Sequence, residues 1–108
     1  MTADPTDDVS VRDHPAVHRF EVWVGDERAG FTRYDDRGGG VVAFTHTEVD
    51  PRFEHRGLAG RLISEALDAA RERGWKVLPE CPYVRAHLAK HPEAVDLVPE
   101  AKRAAFGL

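Results

Sequence analysis

A single change of rhythm, between Val41 and Gly74, constrains this chain more than any other feature. Val41, Val42, Ala43, Phe44, Thr45, Thr47 and Val49 form a β-prone run. Pro51 closes it, because proline has no N–H to give to a ladder. From Ala59 the apolar residues recur at helical spacing: Ala59, Leu62, Ile63, Ala66, Leu67 and Ala70 share one face, and Arg61, Ser64, Glu65, Asp68, Arg71 and Glu72 the other. Gly74 suits the left-handed position just past a helix end. The pattern predicts a strand, a glycine-bearing turn and a helix from Gly57 to Arg73 as one unbroken unit.

The turn reads Glu54-His55-Arg56-Gly57-Leu58-Ala59-Gly60. Small residues at 57, 59 and 60 leave the backbone approachable, and the first turn of a helix leaves about four N–H groups without intrahelical partners. For an anion held there, the helix dipole contributes about 0.3–1 kcal/mol, whereas each hydrogen bond to a charged group contributes about 1.5–3 kcal/mol. Converging amides therefore dominate, with Arg56 and Arg61 adding screened attraction at the rim. The spacing matches neither a P-loop nor a dinucleotide fingerprint. Tight packing of helix on sheet is the other use such glycines have.

Those residues carry a family resemblance. Glu54 to Ala59 resembles the acetyl-CoA signature of GNAT-superfamily N-acetyltransferases, which reads Gln or Arg, two variable residues, Gly, one variable residue, then Gly or Ala. Gly57 and Ala59 match its small positions, Arg56 matches the common residue before the first glycine, and Glu54 departs at the leading one. Trp75 to Val98, with Cys81-Pro82-Tyr83-Val84 and His91-Pro92-Glu93, is similar to the small Yjdj-type N-acetyltransferase-like family. The resemblance implies acetyl-CoA or coenzyme A as cofactor. It also implies a diphosphate on amides of Arg56, Gly57, Leu58, Ala59, Gly60 and Arg61, pantetheine between the strands ending near Val49 and Pro79, and an amine as acceptor, small molecule or peptide.

Upstream, Phe20, Val22 and Val24 alternate with Arg19, Glu21 and Trp23, the period of a half-buried strand. Gly25 to Arg28 turns into a second strand over Ala29 to Tyr34, and Asp35 to Gly40 turns into the long strand already described, giving an antiparallel meander. Downstream, Trp75 to Pro79 is a further strand. Strand, helix and strand in succession imply a parallel pair with a right-handed crossover. Cys81-Pro82 opens a second helix, since proline is favoured at its first position, and Pro92 ends it. The expected fold is α+β, three-layer α/β/α-like, with a mixed, mostly antiparallel sheet of about five strands and one parallel βαβ unit, a truncated GNAT fold. Residues 14–100 form the single domain. The polar, acidic residues 1–13 are expected to form a disordered tail, with ordered structure starting near Val17. Residues 101–108 form a loose C-terminal tail, after a short extended piece at Val95 to Val98.

Ligands of open α/β sheets gather beyond the carboxyl ends of parallel strands, so the turn at Gly57 and the thiol of Cys81 are expected on one side. Cys81 at a helix N-terminus is a candidate nucleophile, although a lone cysteine serves equally as a small buried hydrophobe. His46 and Glu48 share a strand face and are candidate bases for the proton released when an amine attacks a thioester. Tyr83 is a candidate pocket wall. Cys81, His87 and His91 lack a fourth ligand, so no metal is expected. The signature's altered first position also leaves open a coenzyme-A-binding module without turnover, or an interaction domain.

Net charge and hydropathy set the remaining bounds. A charge of −4 on 108 residues opposes a nucleic-acid surface. No run approaches the roughly 18 apolar residues of a membrane span, and a lone cysteine agrees with a reducing compartment. The chain is expected to be cytoplasmic, without membrane partners, and a monomer or weak homodimer.

Overall fold

The computed structural model describes residues 8–108. Its sheet has five strands in sequence order: β1 (Val9–His14), β2 (Arg19–Val24), β3 (Glu27–Asp36), β4 (Val41–Val49) and β5 (Lys76–Pro79). Neighbours pair antiparallel except β4 and β5, which are parallel. Helix α1 (Leu58–Glu72) makes the crossover between those two, and α2 (Pro82–Lys90) follows β5. The expected α+β architecture is thus present, with its single βαβ unit where the period change placed it.

Register decides which side chains meet α1. Arg33 pairs with His46 but Tyr34 pairs with Phe44, so β4 carries an extra residue, Thr45, as a bulge. The bulge turns Thr47 onto the same face as Phe44. Phe20, Val22, Thr32, Tyr34, Val42, Phe44, Thr47 and Val77 share that buried face. Leu58, Leu62, Ile63, Ala66, Leu67 and Ala70 of α1 close over it, and Val84 and Leu88 of α2 join the same core cluster. Ala59, expected on the apolar stripe, is only half-buried and faces a cavity instead.

The opposite face covers itself with long side chains. Glu21, 5% exposed, accepts from Arg19 Nε at 2.6 Å and Trp23 Nε1 at 3.1 Å, lies 3.2 Å from His14 Nδ1, and has the Arg28 guanidinium 3.6 Å away. Arg12 stacks its guanidinium over the Trp23 ring at 4.5 Å. Burial pushes the Glu21 carboxyl up, but the hydrogen bonds from Arg19, His14 and Trp23 outweigh it and hold the group below its ordinary value.

Both chain ends depart from the sequence reading. Of the expected tail over residues 1–13, residues 1–7 lie outside the described residues, and Val9–His14 is a strand. Its short Val9-Ser10-Val11 alternation is embedded in acidic residues, and its order comes from partners remote in sequence. Val11 pairs with Val22, Tyr34 Oη donates to Asp13 at 3.1 Å, and Arg73 bridges Asp13 at 2.8 Å. Burial first, then the Asp13 carboxylate, pushes the Tyr34 hydroxyl up to about 12, so it stays a donor across the ordinary pH range. The extended piece expected at Val95 to Val98 is instead a 3₁₀ helix over Pro92–Leu97. Asp96 accepts two bonds from Arg71 at 2.8 Å, and Leu97 and Val98 are buried. The short helix α3 (Glu100–Arg103) follows, and Phe106 and Leu108 pack against the core where a loose tail was expected.

Glu21 gives a stability test with a defined sign. A carboxyl held below its unfolded value contributes stability above the unfolded pKa, and that contribution is lost as pH falls through the folded one. Glu21→Gln is expected to lower the unfolding free energy at pH 7 by about 1–3 kcal/mol. In denaturant titrations at falling pH the deficit should shrink, since wild-type Glu21 then loses its charge as well.

Candidate active site

The parallel pair β4–β5 is short. It runs from Val41 opposite Lys76 to Phe44 opposite Pro79 and stops there. The last bond between the two segments is Cys81 N–H to the Phe44 carbonyl at 2.8 Å, after which the chain turns into α2 behind Pro82. Beyond Phe44, β4 continues to Val49 with no strand on that edge. The β4–β5 side of the sheet therefore opens toward its carboxyl end.

Gly57 faces this opening as the residue that caps α1. Its φ of 73° is left-handed, which an L side chain adopts at a cost. None of the amides from His55 to Gly60 donates to another protein group among the described residues, and no side chain caps the helix. A Cβ built at Gly57 or Gly60 meets nothing within 4 Å, so open space lies directly over those amides. This geometry meets the chemical demand of a diphosphate: several unpartnered donors, approachable backbone and no acidic residue in the first turn.

Two cavities adjoin the cradle and a third lies beside them, and Tyr83, 56% exposed, borders all three. The middle one, about 320 Å³, lies between Val49 and the Gly57-Leu58-Ala59 backbone. A second, about 440 Å³, separates α1 from α2 and includes Gly57, Ala59, Gly60 and Arg61. The third, about 510 Å³, lies across the ends of β3 and β4, among Arg28, Phe31, Thr47, Glu48, Val49 and Asp50. Val49 borders two of these cavities and Tyr83 all three. Arg56 lies on the exposed turn with its guanidinium 5.3 Å from the Phe53 ring, and Arg61 is held to Glu65 at 2.8 Å.

The three candidate reactive residues are divided between the two faces of the sheet. Cys81 is 1% exposed on the core side, where its Sγ donates to Thr47 Oγ1 at 3.2 Å, and Thr47 shares a 2.9 Å hydrogen bond with Thr32. His46 and Glu48 pair at 3.1 Å on the other face, both well exposed. Only Glu48 of those two borders the large cavity, which Thr47 also borders, so a single threonine separates the cavity from the thiol. His87 and His91 stack with their ring centroids 4.2 Å apart. Sequence reasoning did not find Thr47 as the partner of Cys81, nor Arg28, Phe31 and Asp50 as cavity walls. Their roles follow from the bulge at Thr45 and from pairings across β3. The polar stripe Tyr83, His87, Lys90, His91 was detectable as one face of α2.

Fold and cradle together define an α+β domain with an open parallel strand edge beside an anion-ready helix start. The family model for GCN5-related N-acetyl-transferases matches residues 19–97, and the chain belongs to that family. Among solved structures, the chain is similar in fold to the solution structure of a GCN5-like candidate N-acetyltransferase from Staphylococcus aureus. The two share 18% identity with a TM-score of 0.66, over 85% of this chain and 89% of that one. No curated protein matches the sequence. No helix among the described residues is long and apolar enough to cross a membrane.

The two cradle glycines should respond oppositely to the same substitution. Gly57→Ala forces a side chain into left-handed backbone and should cost about 1–2 kcal/mol. Gly60→Ala adds a Cβ to ordinary helix facing open space and should gain about 0.5–1 kcal/mol. Chemical denaturation of the two variants measures both signs.

Proposed function

We propose that the protein is an acetyl-CoA-dependent N-acetyltransferase acting on a small-molecule or peptide amine. One observation carries the reading: the unpartnered amides of His55 to Gly60 open onto the unpaired edge of β4. Amides from Arg56 to Gly60 hold the diphosphate, with Gly57 and Gly60 keeping the backbone clear, while Val49 and Tyr83 wall the pantetheine channel; the Arg61 amide, expected among the donors, is already bonded to the Gly57 carbonyl at 3.2 Å. When bound, acetyl-CoA supplies an acetyl group activated as a thioester.

The large cavity at the ends of β3 and β4 receives the acceptor amine, and Glu48 at its border accepts the proton lost as nitrogen attacks. The N–C bond forms as the C–S bond breaks, and the coenzyme A thiolate leaves to be protonated by solvent. His46, 3.1 Å from Glu48, fixes the direction of that carboxylate. Exclusion of water falls to Phe31 and Tyr83. Isothermal calorimetry with acetyl-CoA tests the reading, using Gly60→Glu to fill the cradle with a carboxylate while keeping a helix-compatible residue. Wild type should bind and Gly60→Glu should lose about tenfold or more, as removal of one charge-assisted bond implies. Equal affinity for the two would remove the cradle from the function.

A second reading routes the acetyl group through Cys81, and the observation favouring it is the single-residue wall formed by Thr47. The thiol would have to leave its bond to Thr47 and reach the cavity before attack. Intact-mass measurement after incubation with acetyl-CoA separates the two routes. Direct transfer predicts no acetylated Cys81 and amine turnover of Cys81→Ala within a few-fold of wild type. A gain of one acetyl group on wild type alone, with turnover lost in Cys81→Ala, would establish the relay.

A further inference from the structure

The cavity between α1 and α2 has a chemical character of its own. In a chain of net charge −4, the basic side chains bordering it are Arg61, His87, Lys90 and His91; no carboxylate is among its lining residues, although Glu65 holds Arg61 at 2.8 Å and Glu93 lies 3.3 Å from His91. It is continuous with the cradle, because Gly57, Ala59 and Gly60 form part of its wall. His87 and His91 stack with their ring centroids 4.2 Å apart, which brings two imidazole edges to the same rim of the cavity.

We propose that this cavity is a phosphomonoester seat. Lys90 and the stacked pair His87 and His91, with Arg61 across from them, hold a phosphate on the ribose of the nucleotide whose diphosphate rests on the Gly57–Gly60 amides. The protein thereby selects the 3′-phosphorylated carrier over its dephosphorylated form. The inference rests on the carrier reading above and adds to it a specificity determinant on α2.

The groups facing the imidazoles set the pH dependence. Arg61, Asp68 and Arg71 approach from α1, Lys90 lies on α2 itself, and Glu93, from the 3₁₀ turn after α2, lies 3.3 Å from His91 Nδ1. Burial, and then the charge of His91, keep His87 below its ordinary value, against the pull of Glu93 and Asp68. His87 therefore resists protonation in the free protein. A phosphate dianion reverses that balance, so binding takes up protons, and selectivity for the phosphorylated carrier should rise as pH falls from about 8 to about 6.5. Across that range the phosphate, with a second pKa of about 6, remains mostly dianionic.

Calorimetry with acetyl-CoA and with its 3′-dephospho form, on the full chain, tests the proposal. At pH 6.5 wild type should prefer acetyl-CoA by about tenfold or more, and by less at pH 8. Lys90→Ala, an exposed change, should reduce the preference by several-fold, and His87→Ala with His91→Ala should flatten its pH dependence. Equal affinities for the two compounds, or a preference unmoved by both sets of substitutions, overturn the phosphate seat and leave the carrier reading standing. Failure of both compounds to bind overturns the carrier reading and the seat with it.

Discussion

The hydrogen bond from Cys81 N–H to the Phe44 carbonyl, 2.8 Å long, marks where the sheet stops being closed on its parallel side. Up to that point β5 follows β4 residue by residue. Past it, Glu80 N–H turns back to the Leu78 carbonyl at 3.0 Å and Pro82 commits the chain to α2. Proline at 79 and 82 gives the ladder no donor with which to continue. β4 therefore runs on alone to Val49, and the space a longer β5 would fill becomes the channel beside Gly57. The opening is a consequence of where two prolines fall, and the helix cradle is useful only because it faces that opening.

The bulge at Thr45 is the second constraint. A regular strand would point His46 to the face of Phe44 and Thr47 away from it. One extra residue reverses this, placing Thr47 in the core against Thr32 and Cys81 and leaving His46 and Glu48 on the far face. The buried hydroxyls and thiol are all partnered, and no buried side-chain polar atom among the described residues is left without a hydrogen bond. Such a satisfied row is stiff, because breaking one bond leaves an orphan in a low-dielectric interior. This stiffness holds the Cys81 thiol on Thr47 and away from solvent.

How much of this was legible in the sequence depends on the range of the interaction. The unit from Val41 to Gly74 was readable because its evidence is local: an alternating run, a helical stripe, and glycines where the backbone needs them. Cys81 at a helix cap was likewise found from neighbouring residues alone, whereas Gly57, expected as the first helical residue, is a left-handed cap just before it. Strand β1 was not, since Val9 and Val11 are ordered by Val24, Val22, Tyr34 and Arg73, which local pattern does not connect to them. The C-terminal segment failed for the same reason. Its β-branched Val95 and Val98 favour extension, but the ion pair of Asp96 with Arg71 and burial of Leu97 draw it into a 3₁₀ turn against α1. At the site, the cradle was visible and the division of Cys81 from His46 and Glu48 was not, because a bulge has no reliable signature in a run of β-prone residues.

Net charge and local charge also pull apart, and distance explains why. The acidic excess argues against a surface that gathers a polyanion, since such binding needs many cations spread along it. A single nucleotide carrier makes a smaller demand. Charges beyond about 8 Å are largely screened at physiological salt, so Asp26 in the β2–β3 turn and Asp35 and Asp36 at the end of β3, none of which lines the groove between α1 and α2, contribute little there. What counts there is the nearby side chains: Arg61, His87, Lys90 and His91 border the groove over unpartnered amides, and Glu65, Asp68 and Glu93 lie behind Arg61 and the imidazoles rather than on the groove wall. A net charge of −4 is therefore compatible with a local anion site of the kind proposed, provided the few cations are concentrated on one helix face beside the cradle.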